Sequence, residues 1–202
     1  MPDSTLIDLP FTFNVPAEFQ AFEPSLTPAQ RADAIIARMQ SLNPPPSDEA
    51  ITKAVLTQQT TAELLGTSGV VYAGTLLARS EANPGLPMSV FLSVSVRPSE
   101  LNAKLTIDRL TSAMAVAMPE AEVGVVVLPS GSAVLVTEEV SLGTAVNLVE
   151  SGGGSRVRQL HVLVPIPGRT AVADFSIATE SIADWEQVVG ILASICRTIA
   201  FT

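Results

Sequence analysis

The sequence predicts an α+β domain in which helices pack on an antiparallel sheet of about six or seven strands. Segments along the chain alternate apolar and polar residues with the period of two that marks half-buried strands. Several are joined by turn sequences too short for a parallel crossover. Amphipathic helical stripes, one closing the chain, need such a sheet to bury them. The 202 residues are 47% hydrophobic and 15% charged, a globular composition. A chain of this length can bury roughly 70% of its unfolded surface, so residues 1–202 are expected to form one domain.

Residues 1–10 read as an N-terminal arm. Phe11-Thr12-Phe13-Asn14-Val15 alternates up to Pro16 and is expected to be an early sheet member. Thr27-Pro28-Ala29-Gln30 combines a capping Thr, a proline suited to the first helical position and a capping-box Gln. With Ile35, Ile36, Met39 and Leu42 at helical spacing, it predicts a helix over 28–42, stopped by Pro44-Pro45-Pro46. That proline run reads as a stiff connector rather than a domain boundary or a ligand for proline-reading modules.

Ser47-Asp48-Glu49 opens a second helix with acidic residues where the dipole favours them, and Ile51, Val55, Ala62 and Leu65 line one face up to Gly66. From Gly69 the period changes to two. Val70 to Leu77 is a strand, and Asn83-Pro84-Gly85 turns the chain into Met88 to Arg97. There Val90, Leu92, Val94 and Val96 face one side, and Ser89, Phe91, Ser93 and Ser95 face the other. One side of the sheet is therefore core and the other only partly apolar.

Pro98-Ser99-Glu100 reads as the start of a third helix, carried by Leu101, Leu105, Leu110 and Met114 to Met118. Val123 to Leu128 and Ala133 to Val140 form a hairpin around Ser130-Gly131, and Arg156 to Pro165 and Thr170 to Thr179 form another around Pro167-Gly168. Ser151-Gly152-Gly153-Gly154-Ser155 reads as a mobile loop at 151–155 rather than a phosphate cradle, because a strand and no Lys-Ser/Thr helix follows it. The last helix begins at Ser181, read as its cap, with Asp184 at the third helical position. Trp185, Val188, Leu192, Ile195 and Cys196 lie on its apolar stripe.

The net charge of -9 repels phosphate backbones, so nucleic acid is not an expected partner and a basic protein surface is. The lone Cys196 cannot make an intrachain disulfide, and its place on the stripe marks it as an inert core thiol. With one His, metal chemistry would rest on carboxylates, and no metal or cofactor is expected. The N-terminus has no positive, apolar signal pattern, and nothing approaches a membrane span, which points to the cytoplasm. The Ala-, Val- and Thr-rich, Lys-poor composition has the look of a high-GC bacterium.

His161, inside Leu160-His161-Val162, has no sequence constellation around it and reads as a strand histidine satisfied by a local hydrogen bond rather than a base. Glu138 and Glu139 are adjacent on a strand and point to opposite faces, the wrong geometry for a carboxylate pair acting on one bond. No serine sits in a nucleophile-elbow context. Phe19, Phe22 and Phe91 are the candidate partner anchors, set against the alternative that they simply pack.

The order of elements resembles that of the Mog1/PsbP-like superfamily. The residues that carry the resemblance are Phe11-Thr12-Phe13-Asn14-Val15-Pro16 at the front and Val172 to Thr179, Trp185, Ile195 and Phe201 at the back. It implies an α/β/α sandwich and a non-enzymatic accessory or adaptor role, with no functional residue carried over. Other readings are a secretion chaperone or immunity protein, and a small-molecule-binding domain or carboxylate-based enzyme. Self-association through the less apolar sheet face is a further expectation.

Overall fold

The capping box at Thr27 forms as its residues predict. Its hydroxyl accepts from the Gln30 N–H at 3.3 Å, and the Gln30 side-chain oxygen accepts from the Thr27 N–H at 2.9 Å. A computed structural model describes residues 9–22, 26–41, 44–52, 54–56, 69–84, 86–99, 105–142 and 155–202. The second-helix residues Ala62 to Gly66, the glycines at 152–154 and residues 1–8 lie outside it, as do Leu42, Gly85, Glu100 and Leu101.

In chain order the elements are β1 (Phe11–Thr12), β2 (Gln20–Ala21), α1 (Pro28–Gln40), α2 (helical at 48–52 and 54–56), β3 (Val70–Arg79), β4 (Pro87–Pro98), α3 (Ile107–Ala117), β5 (Glu122–Leu128), β6 (Gly131–Leu142), β7 (Ser155–Pro165), β8 (Ala171–Thr179), α4 (Trp185–Cys196) and β9 (Ala200–Phe201). Seven strands form one sheet in the order β2-β3-β4-β8-β7-β6-β5, antiparallel throughout. The fold is thus α+β, with helices packed on both faces of an antiparallel sheet. The two meanders meet where β4 pairs β8, Val94 opposite Phe175 and Ser95 opposite Asp174.

The pleat sends alternate residues to opposite sides, and the register sorts the strands into two faces. On the first, Val90, Leu92 and Val94 of β4 line up with Phe175 and Ile177 of β8 and with Leu160 and Val162 of β7, nearly all fully buried. Helix α4 seals this face with Val188, Leu192, Ile195 and Cys196. The second face is covered in two patches. Around α3, Leu110 packs with Val134, Val136, Leu163 and Val172, and around α1 and α2, Ile35, Met39 and Ile51 pack with Leu77.

Several expectations change at the ends of elements. The Phe11 segment is not a member of the main sheet: β1 pairs only with β9, Phe11 opposite Phe201. Its N–H groups find partners near the C-terminus instead, with Asn14 donating to the Thr198 hydroxyl at 2.8 Å. Phe11 and Phe13 then drop onto Phe175 with ring centroids 5.8 and 5.3 Å away. Pro98 does not open α3. It is the last residue of β4, opposite Ala171, and α3 is capped by Thr106, whose hydroxyl accepts from the Arg109 N–H at 3.4 Å.

Ser181 makes no side-chain cap. A 3-10 turn, Ile182–Asp184, precedes α4, and Asp184 accepts from the Glu81 and Ala82 N–H groups at 3.1 and 3.0 Å. The Ala82 amide foremost, with the Ser80 hydroxyl, holds the Asp184 carboxyl below its ordinary range against the upward push of burial. The residue read as a helix-start acid is thereby a latch between the β3–β4 turn and α4. No helix among the described residues is long and apolar enough to cross a membrane.

Candidate functional site: the polar strip of the second face

Between the α3 patch and the α1–α2 patch, the second face carries polar side chains where the first carries Val and Phe. Ser93 stands opposite Ser176, which stands opposite His161, and Phe91 stands opposite Ala178 in the next rank. All are half-buried. Ser95 and Asp174, one rank further, are buried.

Asp174 organises this strip. It is a lone carboxylate in Ala171-Val172-Ala173-Asp174-Phe175, and a charge so placed must be paired to be tolerated. The antiparallel β7–β8 register sets His161 diagonally across from it. His161 Nδ1 lies 3.0 Å from Asp174 Oδ1 and 3.2 Å from Oδ2. A carboxylate can only accept here, so Nδ1 carries the proton and donates. From the other flank Arg97 brings Nη2 to 3.6 Å of Asp174 Oδ2 and donates from Nε to the Ser95 hydroxyl at 3.3 Å.

Glu138 closes the row. Its Oε1 lies 3.9 Å from His161 Nε2, and it accepts from the Gln159 side-chain amide. Arg97, Asp174, His161, Glu138 and Gln159 therefore form one polar row across β4, β8, β7 and β6. His161 and Asp174 provide a base and its orienting carboxylate. Nε2 faces a carboxylate, however, and among the described residues no hydroxyl is hydrogen-bonded to it. No group of three or more His, Cys, Asp or Glu among the described residues is placed to hold a metal ion.

The residues singled out from sequence separate. Phe91 lies on the strip itself. Phe19 is a core residue, 7% exposed, because its N–H bonds the Pro16 carbonyl and tucks the ring under the first face. Its position there corrects the expectation of an exposed anchor. Phe22 is half-buried at the β3 edge, donating its N–H to Ala73 at 2.7 Å with the Arg31 guanidinium 5.2 Å over its ring. Phe19, in the core of the first face, is thus not brought together with Phe91.

Glu138 and Glu139 do point to opposite faces, Glu138 into the polar row and Glu139 to Arg156 at 2.9 Å. Asp174 and Arg97 were not singled out from sequence. An acidic residue in the middle of an apolar strand is the signal that could have found the first. Cys196 is buried, and that burial pushes its thiol up to about 12.

No family model and no curated protein matches the chain. Among solved structures, it is similar to LpqN of Mycobacterium tuberculosis, whose crystal structure is described as that of a protein involved in cell envelope biogenesis. The TM-score is 0.43 at 11% identity, over 95% of this chain and 83% of that one.

Proposed function

We propose that the chain is a non-enzymatic accessory or adaptor protein that holds another protein against the second face of its sheet. Phe91 is the apolar anchor, and the partly exposed carboxylate of Glu138, within a chain of net charge -9, selects a basic surface. The observation behind this reading is the half-buried strip Phe91, Ser93, Ser176 and Ala178, carried on the continuous ladder of β4 with β8, from Val90 opposite Thr179 to Pro98 opposite Ala171, and therefore preformed. Preformed sites spend little free energy on ordering when they bind. The direction of His161 Nε2, toward Glu138 and not toward a hydroxyl, favours binding over acyl transfer. The resemblance to Mog1/PsbP-like proteins, among which adaptor roles recur, points the same way.

Co-purification from the native host tests it. The wild-type chain is expected to bring down a stoichiometric protein that Phe91→Asp does not, and repeated recovery of the chain alone would count against the proposal. A second reading, a small polar ligand seated against the row from Arg97 to Glu138, is favoured by the recession of Asp174, whose side chain is only 5% exposed. Thermal shift against metabolites separates the two, since a ligand at 100 times its Kd adds about 2.7 kcal/mol.

A further inference from the structure

The most open apolar feature of the sheet is an edge rather than a face. β5 is the terminal strand: β6 pairs with one side of it, and among the described residues nothing pairs with the other. Its sequence, Glu122-Val123-Gly124-Val125-Val126-Val127-Leu128, contains no Pro, Lys or Arg, the residues that usually guard an edge. Val125 and Val127 are 52% and 81% exposed. At the opposite edge β2 is two residues long, and Arg38 of α1 reaches over it to the Glu18 carbonyl at 3.0 Å and the Gln20 side chain at 2.9 Å. One edge is short and guarded, and the other is long and bare.

We propose that β5 pairs antiparallel with β5 of a second copy of this chain, about a two-fold axis at Val125. An isologous contact requires a surface that complements itself, and β5 does so in this register. Val125 meets Val125, Val123 meets Val127, and Gly124 meets Val126, so the valines of the second face form one continuous row. Each Glu122 meets Leu128, which leaves the two Glu122 residues about 20 Å apart along the strands at ~3.4 Å per residue. That exceeds the screening length of about 8 Å at physiological ionic strength, so the acidic ends do not oppose one another across the contact. The lone terminal Glu122 gives β5 little charge with which to select a foreign strand, and self-complementarity makes the second copy the occupant. The proposal is independent of the partner on the second face.

Light scattering of the full chain over a concentration series tests it, with two variants. The wild type is expected to pass from monomer to dimer, and Val127→Lys, at an exposed position, to weaken the dimer at least about tenfold while circular dichroism is unchanged. Val125→Cys is expected to form a covalent dimer quickly under mild oxidation, because facing Cα atoms in an antiparallel pair lie within disulfide reach. Ala37→Cys, exposed on α1, is the control and should cross-link slowly. A wild type that stays monomeric, a dimer indifferent to Val127→Lys, or a Val125→Cys rate no faster than the control would each overturn the proposal.

Discussion

The two faces of the sheet are made by the same strands, residue by residue in alternation, yet they do different work. On β4, Val90, Leu92 and Val94 look toward α4 and are fully buried, while Phe91 and Ser93 look the other way and remain half-buried. On β8, Phe175 and Ile177 share the first face, and Asp174 and Ser176 the second. The first face spends its positions on burial, which is where stability comes from. The second holds polar groups that a core would reject, at positions where one-residue register precision places them in a row. Pairs of adjacent residues in one strand thus separate the burden of folding from the capacity to bind.

That division can be broken most forcefully at Phe175, which touches both Phe11 and Phe13 from the first face. Phe175→Ala is expected to cost about 3–5 kcal/mol, measured by urea unfolding. A cost below about 1 kcal/mol would show that the first face is not the core. The same face shields Cys196, whose thiol burial holds up near 12. Its labelling at neutral pH should be slower than that of an ordinary thiol by about a thousandfold, and should become ordinary once denaturant unfolds the chain.

Asp184 gives an intermediate effect at the margin between turn and helix. Asp184→Ala removes the acceptor of two backbone donors and is expected to cost about 1–3 kcal/mol. Because the folded-state carboxyl lies below its ordinary value of 3.8, its contribution is present above that value and is lost as pH falls through the folded one. Stability measured from neutral to acid pH should therefore converge for wild type and variant at the acid end. A gap that persists there would remove the charge from the explanation.

Much of this was legible in the chain itself, for local reasons. The α1 start follows from Thr27 and Gln30, and the hairpins from Ser130-Gly131 and Pro167-Gly168, where Gly168 takes a φ of 71° that favours glycine. The alternation in β4 even separated the serine face from the valine face. What sequence could not supply was adjacency. β2 is too short to show a period, and it exists because Gln20 and Ala21 meet Thr75 and Gly74. Ser181 has the composition of a cap, yet Asp184 found better partners in the distant β3–β4 turn. His161 and Asp174 are 13 residues apart and meet only through the β7–β8 register. Arg97 reaches them only because β4 pairs with β8.

Phe91 is where the two roles separate most cleanly, and Phe91→Ser measured for both tests the division. It should cost about 1 kcal/mol or less in stability, in the range of partly exposed positions, while recovery of the bound partner falls at least about tenfold. Undiminished partner recovery, joined to a loss of stability as large as that of Phe175→Ala, would place Phe91 in the core and contradict a binding role for the second face.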